Sequence, residues 1–319
     1  MSSMTRIFCV WTGGLLAGAV VLLAGCQQGA DVRQTEEGSL VLGSAEVQEA
    51  VSRAVAPGAR TLVLDGFAGD VVLTASVDAV ARFTFTKRAR GDDAGAARRN
   101  LERIRIEESG DAQTYRYLLR ADRAELSRVD VEGTVPRGAT LHILLRSGNV
   151  SLDGLEGPIT VTNENGNVRI TGAGAGVTVQ TANGNVAVGM NRLPAGESVR
   201  LTTVNGNVTL ALPAAVSARI EAGTSAGEIR VDGLTFADRR LDPQGAGGHF
   251  QGRLGTGAAT VTLKTENGNI VLREGPLEVP PAGEDVPADT AMAPPADTSA
   301  AVPPGPAPVA VPPDTTGGR

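Results

Sequence analysis

From residue 60 onward the chain alternates apolar and polar positions over short stretches, each broken by a pair such as Asn-Gly or Ser-Gly. Val177-Thr178-Val179-Gln180-Thr181 runs into Asn183-Gly184, and Val186-Ala187-Val188 follows. A period of two marks a strand that buries one face. The breaks form a series: Ser147-Gly148-Asn149-Val150, Asn165-Gly166-Asn167-Val168, Asn183-Gly184-Asn185-Val186, Asn205-Gly206-Asn207-Val208, a weaker Ala226-Gly227-Glu228-Ile229, and Asn267-Gly268-Asn269-Ile270. Their glycines are 18, 18, 22, 21 and 41 residues apart, and the last gap reads as two coils of about 20 residues. The apolar partners that follow are Val168 with Ile170, Val186 with Val188, Val208 with Leu210, Ile229 with Val231, and Ile270 with Leu272. Burying one such side chain stabilises by roughly 1.5–3 kcal/mol. No unit holds enough of them to stand alone, so the units must stack.

Two architectures fit this grammar. Asn-Gly between alternating strands is a hairpin signal, which would give an antiparallel meander or sandwich. The same residues can turn the corner of a parallel β-solenoid, with glycine at positive φ and asparagines stacked coil over coil. A hairpin needs no fixed distance to the next one, whereas a solenoid does. The steady step favours an all-β fold of the solenoid kind. The structural turns are then Gly148, Asn165, Gly166, Asn183, Gly184, Asn205, Gly206, Gly227, Asn267 and Gly268.

Before the repeats the pattern is less regular. Arg60–Asp65 and Gly69–Thr74 resemble one more unit, and Val80–Thr86 and Thr114–Leu119 alternate as strands. Asp92-Asp93 at one end and Arg98, Arg99 and Arg103 at the other suit a short helix over 92–103, its charges matched to the helix dipole. This N-terminal β region is expected to cap one end of the stack. The Gly- and charge-rich stretch Leu234–Leu254 is expected to be a lateral loop or the other cap.

The two ends of the chain read differently. Arg6 precedes an uncharged apolar run, Ile7–Leu23, that closes on Leu23-Ala24-Gly25-Cys26. This is the form of a signal peptide ending in a lipobox, so Cys26 is the expected lipidation site, carrying diacylglyceryl and palmitate-type acyl chains. Each buried CH₂ adds ~0.8 kcal/mol to anchoring. Gln27-Gln28 after the cysteine, rather than an aspartate, favours the outer membrane. From Glu278 to Arg319 the chain holds 11 of its 18 prolines and six acids against one arginine, so this stretch is expected to be a disordered acidic tail. The expected division is 1–25 signal peptide, 26–44 tether, 45–146 N-terminal β cap region, 147–276 β-repeat domain and 277–319 tail.

Composition narrows the chemistry. The net charge is −6, and the tail carries most of it, which leaves the body near neutral without a basic face for nucleic acid. The only other cysteine, Cys9, lies in the expected signal peptide, so no disulfide or thiolate metal site is expected. Asp153, Glu156, Glu164, Glu221, Glu228 and Asp232 are scattered, with no spacing that would bring two to one glycosidic bond. His142 lies in an apolar strand, and His249 in a Gly-rich stretch without an evident partner. Asn163-Glu164-Asn165-Gly166-Asn167 resembles an ion loop, but with Gly166 at the sixth position Val161 and Gly172 fall where calcium needs carboxylates. The expectation is a protein without catalytic residues, metal or cofactor, and not an enzyme.

Val135-Pro136-Arg137-Gly138-Ala139-Thr140-Leu141, the Asn-Gly-Asn-Val series and the closing Gly255-Thr256-Gly257-Ala258-Ala259 to Leu272 resemble a bacterial β-strand-repeat family of candidate adhesins. That family is a domain of unknown function related to the adhesin-head GIN domain, and the likeness runs over roughly 60–273. The chain differs in using Asn-Gly-Asn where Ser-Gly-Asp is common, and in the insertion near 234–254. The resemblance implies a β-helix-like domain exposed in the cell envelope, and it carries over no catalytic residue. Two functions stand open: an adhesin-like surface that binds an envelope polymer or protein, and an envelope scaffold or stress sensor acting through a protein partner. A polysaccharide-active β-helix enzyme is the third and weakest.

Overall fold

Two β-sheets lie face to face and share one dry interior, built by a chain that passes repeatedly from one sheet to the other. The computed structural model describes residues 45–55, 60–111 and 113–277, together with a two-residue antiparallel pair, Arg33–Gln34 with Leu40–Val41. The expected signal peptide, Cys26 and the tail from Glu278 lie outside the described residues.

The larger sheet has 11 strands and the smaller has 10. Within them, eight strands of each run parallel and are stacked in the same order, so each coil contributes one strand to each sheet. Ile159–Asn165 and Val168–Ala173 are one such coil, and Val177–Asn183 and Val186–Met190 are the next. The strands flanking an Asn-Gly turn belong to different sheets and never pair with each other. The turn is therefore an arch between sheets, and the antiparallel meander of Asn-Gly hairpins is not formed. The fold is an all-β parallel solenoid.

Register explains why the repeat step is so even. Val150, Val168, Val186, Val208 and Ile270 are neighbours across successive strands, as are Leu152, Ile170, Val188, Leu210 and Leu272. All ten are at most 1% exposed. A slip of one residue would turn every one of these side chains to water.

One expectation fails at the C-terminal end. The motif order along the chain is Gly206, Gly227, Gly268, but the order in space is Gly206, Gly268, Gly227. After Val208–Leu212 the chain skips a position and forms the outermost coil, Ala218–Ala226 and Ile229–Asp232. It then makes an antiparallel hairpin, Ala237–Gln244 with Gly247–Leu254. Only then does it return as Ala259–Asn267 and Ile270–Glu274, which fill the skipped slot and pair on both sides. The 41-residue gap is thus a cap hairpin followed by a returning coil, not two coils in sequence. The stretch 234–254 closes the end of the larger sheet.

The other end repeats the device in reverse. The first coil, Thr61–Asp65 and Val71–Ser76, is inserted between Thr140–Ser147/Val150–Asp153 and an outer coil, Thr114–Arg120/Ser127–Pro136. The ladder therefore continues across the boundary expected at 146–147. Beyond the outer coil, Arg105–Gly110 caps the larger sheet, and Arg82–Gly91 followed by Ala45–Ala54 cap the smaller one, all antiparallel. Helix α1, Ala94–Glu102, packs here with Ala97, Asn100 and Leu101 buried. Asp93 caps it through a bond from Ala96 N to Oδ1 of 2.6 Å, and Asn100 Nδ2 donates to Arg90 O at 2.8 Å.

Aromatic residues mark the ends because the middle has no room for them. Strands ~4.8 Å apart within sheets ~10 Å apart accept aliphatic columns. At the N-terminal end Phe83, Phe85 and Tyr117 cluster, with Tyr117 5.3 Å from Phe83 and 4.9 Å from Phe85 between ring centroids. At the other end Phe250 sits beside the small Ala222 and meets Phe236 edge-on at 5.1 Å.

Both tyrosines of the protein are in the N-terminal cluster. Burial, then the hydrogen bond that Tyr115 Oη donates to Glu108 at 2.6 Å, push its pKa up to about 12. Burial pushes Tyr117 up as well. Because the folded values are raised, this stabilisation is complete below the ordinary tyrosine pKa of ~10 and is lost as pH climbs through the folded values. Phenolate absorbance should therefore stay low at pH ~10, where free tyrosine is half ionised, and develop as pH approaches the raised folded values or the protein unfolds. In the returning coil, Leu272→Ala should destabilise by ~2–5 kcal/mol in denaturant unfolding. That loss should match Leu210→Ala in the middle of the stack, because Leu272 has a coil on either side.

Candidate functional site

The turns that join the sheets are held by three stacked ladders. In the first, the side chain of the second asparagine in each motif accepts a backbone N–H from the coil above. Asn149, Asn167, Asn185 and Asn207 Oδ1 accept from Asn167, Asn185, Asn207 and Asn269 N at 3.0, 2.9, 2.8 and 2.8 Å. Asn269 Oδ1 then accepts from Glu228 N at 2.8 Å, in spatial rather than sequence order. The ladder runs on through the first coils, where Asp70 Oδ1 accepts from Asn149 N at 2.8 Å and Asp130 Oδ1 from Asp70 N at 2.9 Å. Arg128 bridges these two carboxylates. Burial works against its charge, but Asp130 and Asp70 outweigh it and raise its pKa.

The second ladder joins the first asparagines side chain to side chain. Asn183 Nδ2 donates to Asn165 Oδ1 at 2.9 Å, Asn205 to Asn183 at 2.8 Å, and Asn267 to Asn205 at 2.9 Å. The third lies inside the turn, where Thr203, Thr265 and Thr224 Oγ1 donate to Gly184, Gly206 and Gly268 O at 3.0, 2.9 and 2.8 Å. The glycines themselves are sterically fixed. A Cβ on Gly184 would lie 2.1 Å from Gly166 O, and its φ is +151°. Gly148, Gly166, Gly206, Gly227 and Gly268 stack in the same way. The pattern of Asn-Gly-Asn exposes the turns in the sequence. The last rung at Asp130 and the buried threonines carry no comparable signal.

One rung is irregular. Asn163 stands where later coils have threonine, and its Nδ2 donates to both Gly148 O at 2.9 Å and Gly166 O at 3.2 Å. Gly166 O is the acceptor that Thr181 would use, and Thr181 Oγ1 and Asn163 Oδ1 are both buried without a partner.

The carboxylates considered as catalysts do not converge. Glu164 faces Arg146, Glu228 faces Arg230, and Asp153 accepts from Thr171 Oγ1 at 2.5 Å. His142 points outward from the larger sheet between Val63 and Thr160. His249 has a neighbour that the sequence did not suggest: its strand pairs with Ala218–Ala226, and Nε2 lies 3.9 Å from Glu221 Oε1. Glu156 lies between Arg137 and Arg192, 3.4 and 3.5 Å from their guanidinium nitrogens. Among the described residues, no group of three or more His, Cys, Asp or Glu side chains could hold a metal ion, and no helix is long and apolar enough to cross a membrane.

What the solenoid offers outward is the face of its larger sheet. Thr160, Thr178, Arg200 and Thr262 are neighbours in one row across four strands, and Thr162, Gln180, Thr202 and Lys264 in the next. Strand spacing sets such a row at ~4.8 Å per position. The smaller sheet is partly covered, because Leu277 lies against Gly189 on its outer face.

These features define the class: a parallel β-solenoid closed by antiparallel caps, with polar ladders at its turns. The chain belongs to the Toastrack DUF4097 family, whose model matches residues 99–273. No curated protein matches the chain. Among solved structures it is similar to a candidate cell-adhesion protein from Clostridium sporogenes, at 13% identity over 72% of this chain and 100% of that one, with a TM-score of 0.42. A candidate adhesin from Bacteroides fragilis matches at 12% identity over 71% of this chain and 97% of its own, with a TM-score of 0.32.

Gly184→Ala should destabilise the protein by at least ~2 kcal/mol, through strain at positive φ and overlap with the coil below, as read by thermal or denaturant unfolding. Asn163→Thr should act in the opposite direction. A threonine there can donate to Gly148 O and release Gly166 O to Thr181, so stability should rise by about 1 kcal/mol.

Proposed function

We propose that this is a lipid-anchored protein of the cell envelope, held at the outer membrane by acyl chains on Cys26, whose solenoid presents an adhesin-like binding surface to an envelope polymer. The observation that carries the binding role is the outward face of the larger sheet. Its rows of threonine, glutamine, arginine and lysine lie in register over successive strands, and repeated donors and acceptors at fixed spacing suit a repeating ligand. The lipid anchor rests on Leu23-Ala24-Gly25-Cys26 and the apolar run before it. The structural turns serve this role indirectly, by holding the strands in register. The reading requires no catalytic residue and no cofactor.

Palmitate labelling of cells that express the full chain should mark the protein, and Cys26→Ser should abolish the label and release the protein from the membrane fraction. Purified lipidated protein should then bind isolated envelope polymer saturably. Stoichiometric capture of one protein, without polymer binding, would contradict the adhesive role and favour a scaffold.

A further inference from the structure

At the corner opposite the asparagine ladders, a cavity of about 300 Å³ opens between neighbouring coils, lined by Arg137, Glu156, Asn191 and Arg192. Its floor is the bend 172–176, where Ala173 and Ala175 turn inward and are buried, which leaves Gly172 and Gly174 on the outer side. Only backbone separates the two walls. Arg137 Nη1 lies 3.4 Å from Glu156 Oε1, and Arg192 Nη2 lies 3.5 Å from Oε2, with all three side chains about half exposed.

Two guanidiniums thus share one carboxylate. Each guanidinium carries five N–H donors in a planar fork, while the carboxylate accepts at about four positions. Most donors remain unspent, and the cluster has a net charge of +1. Such a fork matches a carboxylate or phosphate bidentately. Glu156 decides between them. Set between the two arginines, it repels a dianion about twice as strongly as a single carboxylate, and it can accept hydrogen bonds from hydroxyl groups. The Asn191 amide, whose Nδ2 lies 3.2 Å from the position a Cβ would take on Gly172, adds a donor and an acceptor above the floor. A neutral sugar has no use for two arginines, and a bare anion has no use for the glutamate. One carboxylate together with several hydroxyls uses both, and a cavity of this size holds one or two sugar rings.

We propose that this slot binds an acidic saccharide through its uronic-acid carboxylate, with Arg137 and Arg192 as the carboxylate fork and Glu156 and Asn191 on the ring hydroxyls. The proposal rests on the reading of the protein as a polymer-binding surface and adds to it the chemical class of the polymer.

The test is calorimetric titration of the processed full chain with a short hexuronate oligomer, the corresponding neutral glucan oligomer and inorganic phosphate. The hexuronate should bind, the neutral oligomer and phosphate should bind at least about tenfold more weakly, and added salt should weaken the hexuronate. Arg192→Gln and Arg137→Gln should each reduce hexuronate affinity by about tenfold or more, with the melting temperature unchanged. Arg192→Lys, which keeps the charge and loses the fork, should fall between. Equal binding of the neutral oligomer, tighter binding of phosphate, or full hexuronate affinity in the variants would each overturn the proposal. Polymer binding that survives both variants removes only the slot. Failure to bind any envelope polymer removes the adhesive reading as well.

Discussion

Everything in this molecule depends on one strand lying directly over the next in parallel register, with the bare backbone of one glycine against the carbonyl of another. Gly148, Gly166, Gly184, Gly206, Gly268 and Gly227 form that column, and each leaves no space for a Cβ. Once the glycines are aligned, the asparagines on either side have only one set of partners, and the valine, isoleucine and leucine columns fall into place between the sheets. Burial supplies most of the stabilisation, as in other folds. The polar ladders add register, because each amide finds its acceptor only if the coils are aligned to the residue.

The ends show how a stack of this kind avoids open growth. A simple solenoid would leave its first and last coils half covered. Here the first and last coils in sequence are each inserted one place inward. The outer coil at the N-terminal end is covered by antiparallel strands on both sheets, and the one at the C-terminal end on the larger sheet, with aromatic side chains at both ends. The outer coil and hairpin precede the last coil in sequence, so Asn267 meets Asn205 across 62 residues of chain. This places long-range contacts at both ends of a fold whose middle is built from neighbours in sequence.

Much of this is legible in the sequence. The step between Asn-Gly motifs, the alternation around them and the short helix after Asp93 follow from local chemistry that the chain displays openly. Their common cause is that residues such as Val168 and Val186 are near neighbours in sequence and in space. The insertion of 259–274 was hidden for the opposite reason. Strands with the same alternation fit equally well beside any coil, so nothing in Val261 or Leu263 states which neighbour they take. The far rung of the asparagine ladder was also concealed, because Asp130, which accepts from Asp70 N, follows no glycine and so lacks the turn signature. The Arg137, Glu156 and Arg192 cluster escaped for a similar reason. Its members are 19 and 36 residues apart, at the same corner of separate coils, and only the stacking of coils brings them together.

The order of coils is the point on which this account is most exposed, and cysteine pairing measures it directly. Adjacent parallel strands bring register partners within disulfide range, whereas strands two apart lie ~10 Å from each other and cannot be bridged. Thr202 and Lys264 are register partners, as are Lys264 and Gly223. A chain carrying Thr202→Cys with Lys264→Cys should therefore oxidise to an intramolecular disulfide in the folded state. One carrying Thr202→Cys with Gly223→Cys should not. Coils stacked in the order of the sequence would produce the reverse result, with 202 bridged to 223 and 264 left free.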